Sequence, residues 1–253
     1  MVKMESSLIP ELRFPEFEGE LSQETLIGVT SGNLTNGIFN DPKKVGSGYF
    51  LINVKDMYTD LSIQKINLTR INIESNEFVK NKVKYGDVFF TRSSLVKEGI
   101  AYSAINLSYD DDITFDGHLI KLTPNFFKIH PIFLGYLLKT ANVRKQLIAR
   151  GKTGTMTTIG QSDIASIKIL IPTPLEQTKI ANFLTAVDKR IYLLQKKKAE
   201  LAQYKKGVMQ KLFSQEIRFK QDDGSDKVNG EAREGSLVVS LIGKRRNWGR
   251  LLR

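Results

Sequence analysis

The longest regular pattern in this 253-residue sequence is a series of apolar residues between positions 175 and 213. The series advances in alternating steps of four and three residues, which is the spacing of a coiled-coil seam. The stretch contains no proline and only one late glycine. We therefore predict one α-helix of roughly 55–60 Å, at ~1.5 Å per residue. The predicted seam consists of Ile180, Leu184, Val187, Ile191, Leu194, Leu201, Val208 and Leu212.

A helix of this length leaves an apolar stripe in water unless a second helix covers it. Lys198 and Lys205 occupy two further positions of the series, and the outer face carries additional lysines at positions 196, 197 and 206. So many lysines do not suit a helix that lies wholly against one domain of this size. We expect residues 175–213 to form a coiled-coil spacer and dimerisation helix. A long helix packed against its own domain is the alternative.

The part of the chain before this helix has the pattern of short β-strands separated by turns. Strand-like apolar runs cover residues 48–54, 87–91 and 119–122. Residues 131–150 have helical apolar spacing, and residues 167–171 form one more strand-like run. The sequence thus predicts an α+β fold, in which residues 1–174 form a globular domain rich in short β-strands with flanking helices and the long helix follows.

A four-residue phrase occurs twice. The sequence Glu-Leu-Arg-Phe at residues 11–14 returns as Glu-Ile-Arg-Phe at residues 216–219, directly after the long helix. Both copies stand where a globular unit would begin, which suggests a duplicated architecture. We expect residues 214–253 to hold the start of a second unit and then a basic, poorly ordered tail.

The charge of the chain favours an acidic partner. Lysine and arginine number 38 against 27 acidic residues, which gives a formal net charge of +11. Such an excess attracts polyanions, and nucleic acid is the commonest of these.

Residues that carry catalysis or bind metals are few. Cysteine is absent, and neither of the two histidines, His118 and His130, has a partner at metal-ligand spacing. Lys152 and Thr153 follow Gly151, but position 146 lacks the glycine that a phosphate-binding loop requires. His118 is expected to be structural or to contact a base. We expect no catalytic site, metal or cofactor in this chain, and no membrane span or secretory signal, which fits a cytoplasmic protein.

Four phrases resemble the specificity subunits of type I restriction–modification systems. They are residues 12–20, 86–94, 169–181 and 204–213. The resemblance covers residues 11 to about 226 and is most specific at the junction into the long helix and at the end of that helix. Members of this family usually carry two units in one chain, each a target recognition domain followed by a conserved long helix. This chain carries one unit and so looks like a half-length form.

The resemblance implies a DNA-binding function and a set of partners. Each target recognition domain would read one half of a split target in double-stranded DNA. Methylation and cleavage would belong to a modification subunit that uses S-adenosylmethionine and to a restriction subunit driven by ATP. This chain would then be a recognition subunit without enzymatic activity of its own.

Three polar loops, at residues 30–44, 91–97 and 151–158, are best furnished to contact DNA, because they offer hydrogen-bonding side chains after strands of the domain. Arg92 is the strongest candidate for a bidentate contact to guanine. A solvated polar loop is the alternative for each. The candidate DNA-binding residues are Asn33, Thr35, Asn36, Lys43, Lys44, Arg92, Ser93, Ser94, Lys97, Lys152, Thr153, Thr155, Thr157 and Thr158.

Since one unit offers one helix, its antiparallel partner would come from a second copy. We expect a homodimer with two-fold symmetry that reads a target with two inverted, identical halves. Two other classes of protein are compatible with the sequence. One is a basic coiled-coil scaffold without sequence preference, and the other is a recognition module detached from a DNA methyltransferase.

Overall fold

The structure is a computed structural model that describes residues 12–59 and 61–217. These residues form short strands and helices, which confirms the α+β fold. The strands are β1 (Ser22–Thr25), β2 (Thr35–Asn36), β3 (Val45–Ile52), β4 (Thr69–Ile71), β5 (Val88–Thr91), β6 (Ser93–Ser94), β7 (Ser103–Ile105), β8 (Ile113–Phe115), β9 (Leu119–Leu122), β10 (Lys152–Thr153), β11 (Thr157–Thr158) and β12 (Lys168–Ile171). The α-helices are α1 (Ser75–Asn81), α2 (Pro131–Leu137), α3 (Ala141–Arg150), α4 (Gln161–Ala165) and α5 (Pro174–Phe213).

A four-stranded sheet in the order β2-β9-β5-β7 lies at the centre of the β-rich part. Strands β5 and β9 pair antiparallel, from Val88 opposite Leu122 to Thr91 opposite Leu119. All four residues of β5 are buried, because both faces of the sheet are covered. Successive side chains of a strand point to opposite faces. Phe90 accordingly packs in the larger core cluster and Phe89 in a second one.

A second sheet joins strands that are distant in sequence. Strand β3 pairs antiparallel with β4 and parallel with β8. The β3–β4 register shifts between Val45 and Tyr49. Gly48 lies in this shift with φ +85°, and a Cβ there would meet the Ile71 carbonyl oxygen at 2.4 Å. Only glycine fits this close approach of two strands.

Strands β1 and β12 bring the two ends of the β-rich part together. They pair antiparallel, from Ser22 opposite Ile171 to Thr25 opposite Lys168. Helix α5 begins three residues after β12, at Pro174. The beginning of the helix is therefore held beside the strand that opens the domain.

The long helix predicted at residues 175–213 is confirmed as α5, one residue longer at its start. Its first turns are anchored by buried polar side chains. The Arg13 guanidinium donates to both carboxylate oxygens of buried Glu176, at 2.8 and 2.6 Å. The Gln177 side chain accepts from the His130 N–H and donates to the carbonyl oxygens of Lys128 and Pro172. These contacts fix where the helix leaves the domain.

The helical pattern at residues 131–150 is two helices rather than one. Helix α2 ends at Leu137 and α3 begins at Ala141. Thr140, which precedes α3, has ψ 148° and is therefore extended. The apolar spacing continues through this break because both helices cover the same core, as buried Leu134 and Leu147 show.

The chain divides into two compact units, Met1–Asp188 and Lys189–Arg253, with the division inside α5. The domain limits expected at residues 174 and 214 stay predictions. Residues 218–253, which contain most of the expected second-unit remnant and tail, lie outside the described residues. Among the described residues, no helix is long and apolar enough to span a bilayer.

Candidate nucleic-acid interface

The β5–β9 ladder ends in two polar residues. Beyond the Thr91–Leu119 pair, the Arg92 N–H donates to the His118 carbonyl oxygen at 3.0 Å. The backbones of these two residues thus lie side by side just past the end of the ladder. Two positions into the ladder stand Phe90 and Ile120, both buried, whereas Arg92 and His118 are exposed. The residues therefore change from buried apolar to exposed polar at this end of the sheet, which we call the sheet end.

Two of the three predicted DNA-contacting loops meet at the sheet end. Each forms short strands, and these pair in a small sheet in the order β10-β11-β6. Ser93 lies opposite Thr158, and Thr158 lies opposite Lys152. The Ile159 N–H donates to the Arg92 carbonyl oxygen at 3.0 Å, which attaches this small sheet to the central one.

Asn36 brings the first loop to the same place. It pairs with Ile120 in the central sheet, and its amide nitrogen donates to the carbonyl oxygens of Gly117 and Leu119 at 3.3 and 3.1 Å. Its side-chain oxygen accepts from Gln161 at 2.6 Å. The Asn36 side chain is thus occupied by hydrogen bonds that hold the loop in place.

The candidate residues differ in their exposure. Asn36 and Ser93 are half-buried, whereas Ser94 and Thr157 are buried. The Ser94 hydroxyl also accepts from the Val96 N–H, so it stabilises its own loop. The exposed candidates are Asn33, Thr35, Lys43, Lys44, Arg92, Lys97, Lys152, Thr153, Thr155 and Thr158.

The basic candidates have different neighbours. Among the described residues, Arg92 has no side-chain hydrogen bond or ion pair. The Lys152 ammonium lies 3.7 Å from the Asp163 carboxylate. Lys43 and Lys44 lie in a short 3-10 helix, and the Lys44 carbonyl oxygen accepts from Asn72, after β4. Arg92 therefore lies at the sheet end with an exposed guanidinium that no described residue binds.

The sequence did not single out Asp116 or Gln161. Asp116 is buried, and its Oδ1 lies 2.8 Å from Nδ1 of His118 and also accepts from the His118 N–H at 2.6 Å. The His118 side chain itself is 66% exposed. The sequence signal that could have pointed to Asp116 is the Asp-Gly-His sequence directly before a strand. No sequence signal pointed to Gln161.

Asp87, within the phrase at residues 86–94, has a structural role. Its buried carboxylate accepts from the Lys84 N–H and the Thr123 hydroxyl, and it lies 3.8 Å from the Lys121 ammonium. Burial raises the pKa of Asp87 and lowers that of Lys121. These groups are at the far end of the β5–β9 ladder from Arg92, so they support the sheet rather than the sheet end.

Half of the eight predicted seam residues of α5 are exposed, namely Val187, Ile191, Leu194 and Leu201. The other four, Ile180, Leu184, Val208 and Leu212, are half-buried, and Ile180 packs against the larger core of the domain. No cluster of three or more histidine, aspartate or glutamate side chains suited to a metal occurs within residues 12–59 and 61–217. Two accessible features of the described residues are thus a polar sheet end and the exposed apolar side chains in the middle of α5.

Solved structures share this architecture of a β-rich domain and a long helix. A chain from a type I restriction–modification system, solved to explain complex assembly and conformational transition, has a TM-score of 0.54 at 17% identity, over 82% of this chain and 49% of its own length. The HsdS subunit from Thermoanaerobacter tengcongensis has a TM-score of 0.54 at 18% identity, over 83% and 52%. The fold is therefore that of restriction–modification specificity subunits.

The sequence comparisons identify the family. The putative type I restriction enzyme MjaX specificity subunit of Methanocaldococcus jannaschii is 28% identical in an alignment of 215 residues that covers 82% of this chain and 49% of that protein. Residues 38–203 match the type I restriction modification DNA specificity domain, and the chain belongs to this family. It spans about half the length of the relatives that it matches.

Proposed function

We propose that this chain reads one half of a two-part DNA target for a type I restriction–modification assembly and catalyses no reaction itself. The observation that carries the proposal is the meeting of all three polar loops at the sheet end, where Arg92 is exposed and unpaired among the described residues. Direct readout requires side chains that are held rigidly at the edges of bases. Backbone hydrogen bonds to His118 and Ile159 hold the Arg92 backbone, from which its side chain would reach such an edge.

The proposal includes a homodimer formed through α5. The exposed side chains of Ile191, Leu194 and Leu201 are spaced as a seam and would be covered by an antiparallel copy. A two-fold axis between the copies places two identical sheet ends on one duplex in opposite orientation. The target would then consist of two inverted, identical half-sites separated by a spacer.

Partners would supply the chemistry. By membership in the family, we expect a modification subunit that uses S-adenosylmethionine and a restriction subunit that uses ATP, both in the cytoplasm with this chain. This chain would bind neither cofactor, and its own contribution would be the choice of sequence.

The experiment selects sequences from random duplexes with the full chain. We expect one sequence with two inverted halves to be enriched. Arg92→Ala should relax one position in each half, with an affinity loss of roughly fivefold to 150-fold per half-site and the product of the two losses for the selected duplex, because each bidentate arginine–guanine contact discriminates by ~1–3 kcal/mol.

Lys152→Ala is the matched control, since loss of a phosphate contact should weaken binding to all duplexes alike and reduce the salt dependence by about one ion. Equal affinity of the unaltered chain for random and enriched duplexes would contradict the proposal and favour a scaffold without sequence preference.

The distance between half-sites tests the spacer role of α5. Deletion of residues 195–201 removes one heptad, which is ~10 Å of helix and about three base pairs of DNA. We expect the preferred spacer to change by about that number. An unchanged spacer would show that the helix does not set the separation.

A further inference from the structure

The turn between β8 and β9 is unusually well fixed. The Asp116 N–H donates to the Ile52 carbonyl oxygen at 3.0 Å, and the Gly117 N–H donates to that of Ile38 at 2.7 Å. The Asn36 amide nitrogen donates to two carbonyl oxygens at the same turn, those of Gly117 and Leu119. Every peptide group around His118 is thus engaged, while most of the imidazole is exposed. A side chain presented on so rigid a backbone is preorganised for a directional contact.

The buried Asp116 carboxylate determines which nitrogen of His118 carries the proton. A carboxylate can only accept hydrogen bonds, so Nδ1, 2.8 Å from Oδ1, must be the donor. In the neutral imidazole the other nitrogen, Nε2, then has a free lone pair and acts as an acceptor. Among the described residues, Nε2 has no hydrogen-bond partner. His118 therefore presents an acceptor to solvent, and its backbone lies beside that of Arg92.

Building on the proposed function, we infer that His118 is a specificity-determining residue whose Nε2 accepts a hydrogen bond from the exocyclic amine of a base. In the major groove these amines are N6 of adenine and N4 of cytosine, the only donors on the base edges. Phosphate oxygens are acceptors, so a lone-pair nitrogen has no favourable contact with the DNA backbone. Arg92, whose backbone N–H donates to the His118 carbonyl oxygen, is a pure donor and suits the acceptors of guanine. Together the two side chains match a donor and an acceptor on the same or adjacent base pairs.

The test first compares the sequences selected by the unaltered chain, by His118→Ala and by Phe127→Ala. Phe127 is a 95% exposed ring that follows the other end of β9, so it is a matched control for loss of an exposed ring. We expect His118→Ala to relax one position per half-site, while Phe127→Ala selects the same sequence as the unaltered chain. Since His118 is exposed, the variant should fold, which circular dichroism checks.

The second step removes the amine at the relaxed position of both half-sites. Purine replaces adenine, or 2-pyrimidinone replaces cytosine, so that N6 or N4 is missing. Binding of the unaltered chain should weaken roughly threefold to tenfold per half-site, the range for one neutral hydrogen bond. His118→Ala should bind the complete duplex equally weakly, and removal of the amine should then cost it nothing further, because both changes delete the same contact.

The possible failures are distinct. If the unaltered chain enriches no sequence, the proposed function itself is contradicted. If it enriches a sequence that His118→Ala also enriches unchanged, only the role of His118 is overturned. A loss of affinity by His118→Ala that is equal for all duplexes would indicate a contact of protonated His118 to phosphate and would also overturn it. The role of His118 would also be overturned if removal of the amine weakened binding by the variant as much as binding by the unaltered chain.

Discussion

Helix α5 uses its side chains in opposite ways at its beginning and in its middle. At the beginning, the polar residues Glu176 and Gln177 are only 2% and 1% exposed. In the middle, the apolar residues Ile191, Leu194 and Leu201 are 47%, 52% and 56% exposed. Both arrangements reverse the usual distribution of polar and apolar side chains. A satisfied polar contact defines one docking geometry, whereas an apolar stripe lowers the free energy of any helix pairing that covers it.

The largest effect is expected from changing the exposed apolar side chains in the middle of α5. Leu194→Lys combined with Leu201→Lys should weaken dimerisation by more than about a thousandfold, because four leucines per dimer lose burial at ~1.5–3 kcal/mol each. Sedimentation of the full chain measures this. Ala199→Lys with Gln203→Lys adds the same charge off the seam and should leave the dimer intact. Dimers that persist in the leucine variant would show that another surface joins the copies.

The next largest effect is expected from changing a buried polar side chain at the beginning of α5. Gln177→Ala leaves the His130 N–H and the carbonyl oxygens of Lys128 and Pro172 without their partner. We expect the free energy of unfolding to fall by about 3 kcal/mol, from unsatisfied buried groups and lost packing. Denaturant titration measures it, with the exposed neighbour Thr178→Ala as the control. A loss no greater than that of the control would mean that the buried amide is replaceable by water.

A smaller effect depends on pH. The Tyr136 hydroxyl donates to the Asp188 carboxylate at 2.7 Å, and burial, followed by this hydrogen bond, raises the pKa of Tyr136 to about 12. The folded chain holds this proton more tightly than the unfolded chain does. The stabilisation is therefore complete below pH 10 and is lost as pH rises through about 12.

Tyr136→Phe removes that pH dependence. At pH 7 the variant should lose about 1 kcal/mol, the net value of one hydrogen bond. Above pH 10 its free energy of unfolding should approach that of the unaltered chain. A gap between the two proteins that stays constant from pH 7 to pH 12 would contradict the assignment.

The smallest effect belongs to the exposed part of the helix. Lys196 and Glu200 stand one turn apart with charged atoms 4.0 Å from each other, and both are exposed. Glu200→Gln should change the free energy of unfolding by no more than about 0.5 kcal/mol and should have no effect at 1 M salt. A larger change would mean that this face of the helix is covered rather than solvated.

Which features could be predicted from sequence depends on how far apart in the sequence the interacting residues are. Helix α5 was predicted within one residue at its start because its apolar period is a local signal. Strand β9 was likewise predicted at its observed limits. The parallel pairing of β3 with β8 depends on residues about sixty positions apart, and no local pattern encodes such a register.

The same distinction holds at the sheet end. The polar loops were recognisable by composition. Which of their side chains stay available to a ligand depends on tertiary contacts. Asn36 resembles a base-reading residue in sequence, yet its amide is occupied by Gly117, Leu119 and Gln161. Conversely, His118 gains its directed acceptor only because folding buries Asp116 beside it.

The pairing of β1 with β12 has a consequence for how the β-rich part can be exchanged between polypeptides. The chain enters and leaves the β-rich part on neighbouring strands, about 5 Å apart. A segment whose ends coincide can be copied or exchanged between polypeptides without stretching the host chain. One crossover on each side would then be enough to exchange the β-rich part while the helix stays unchanged.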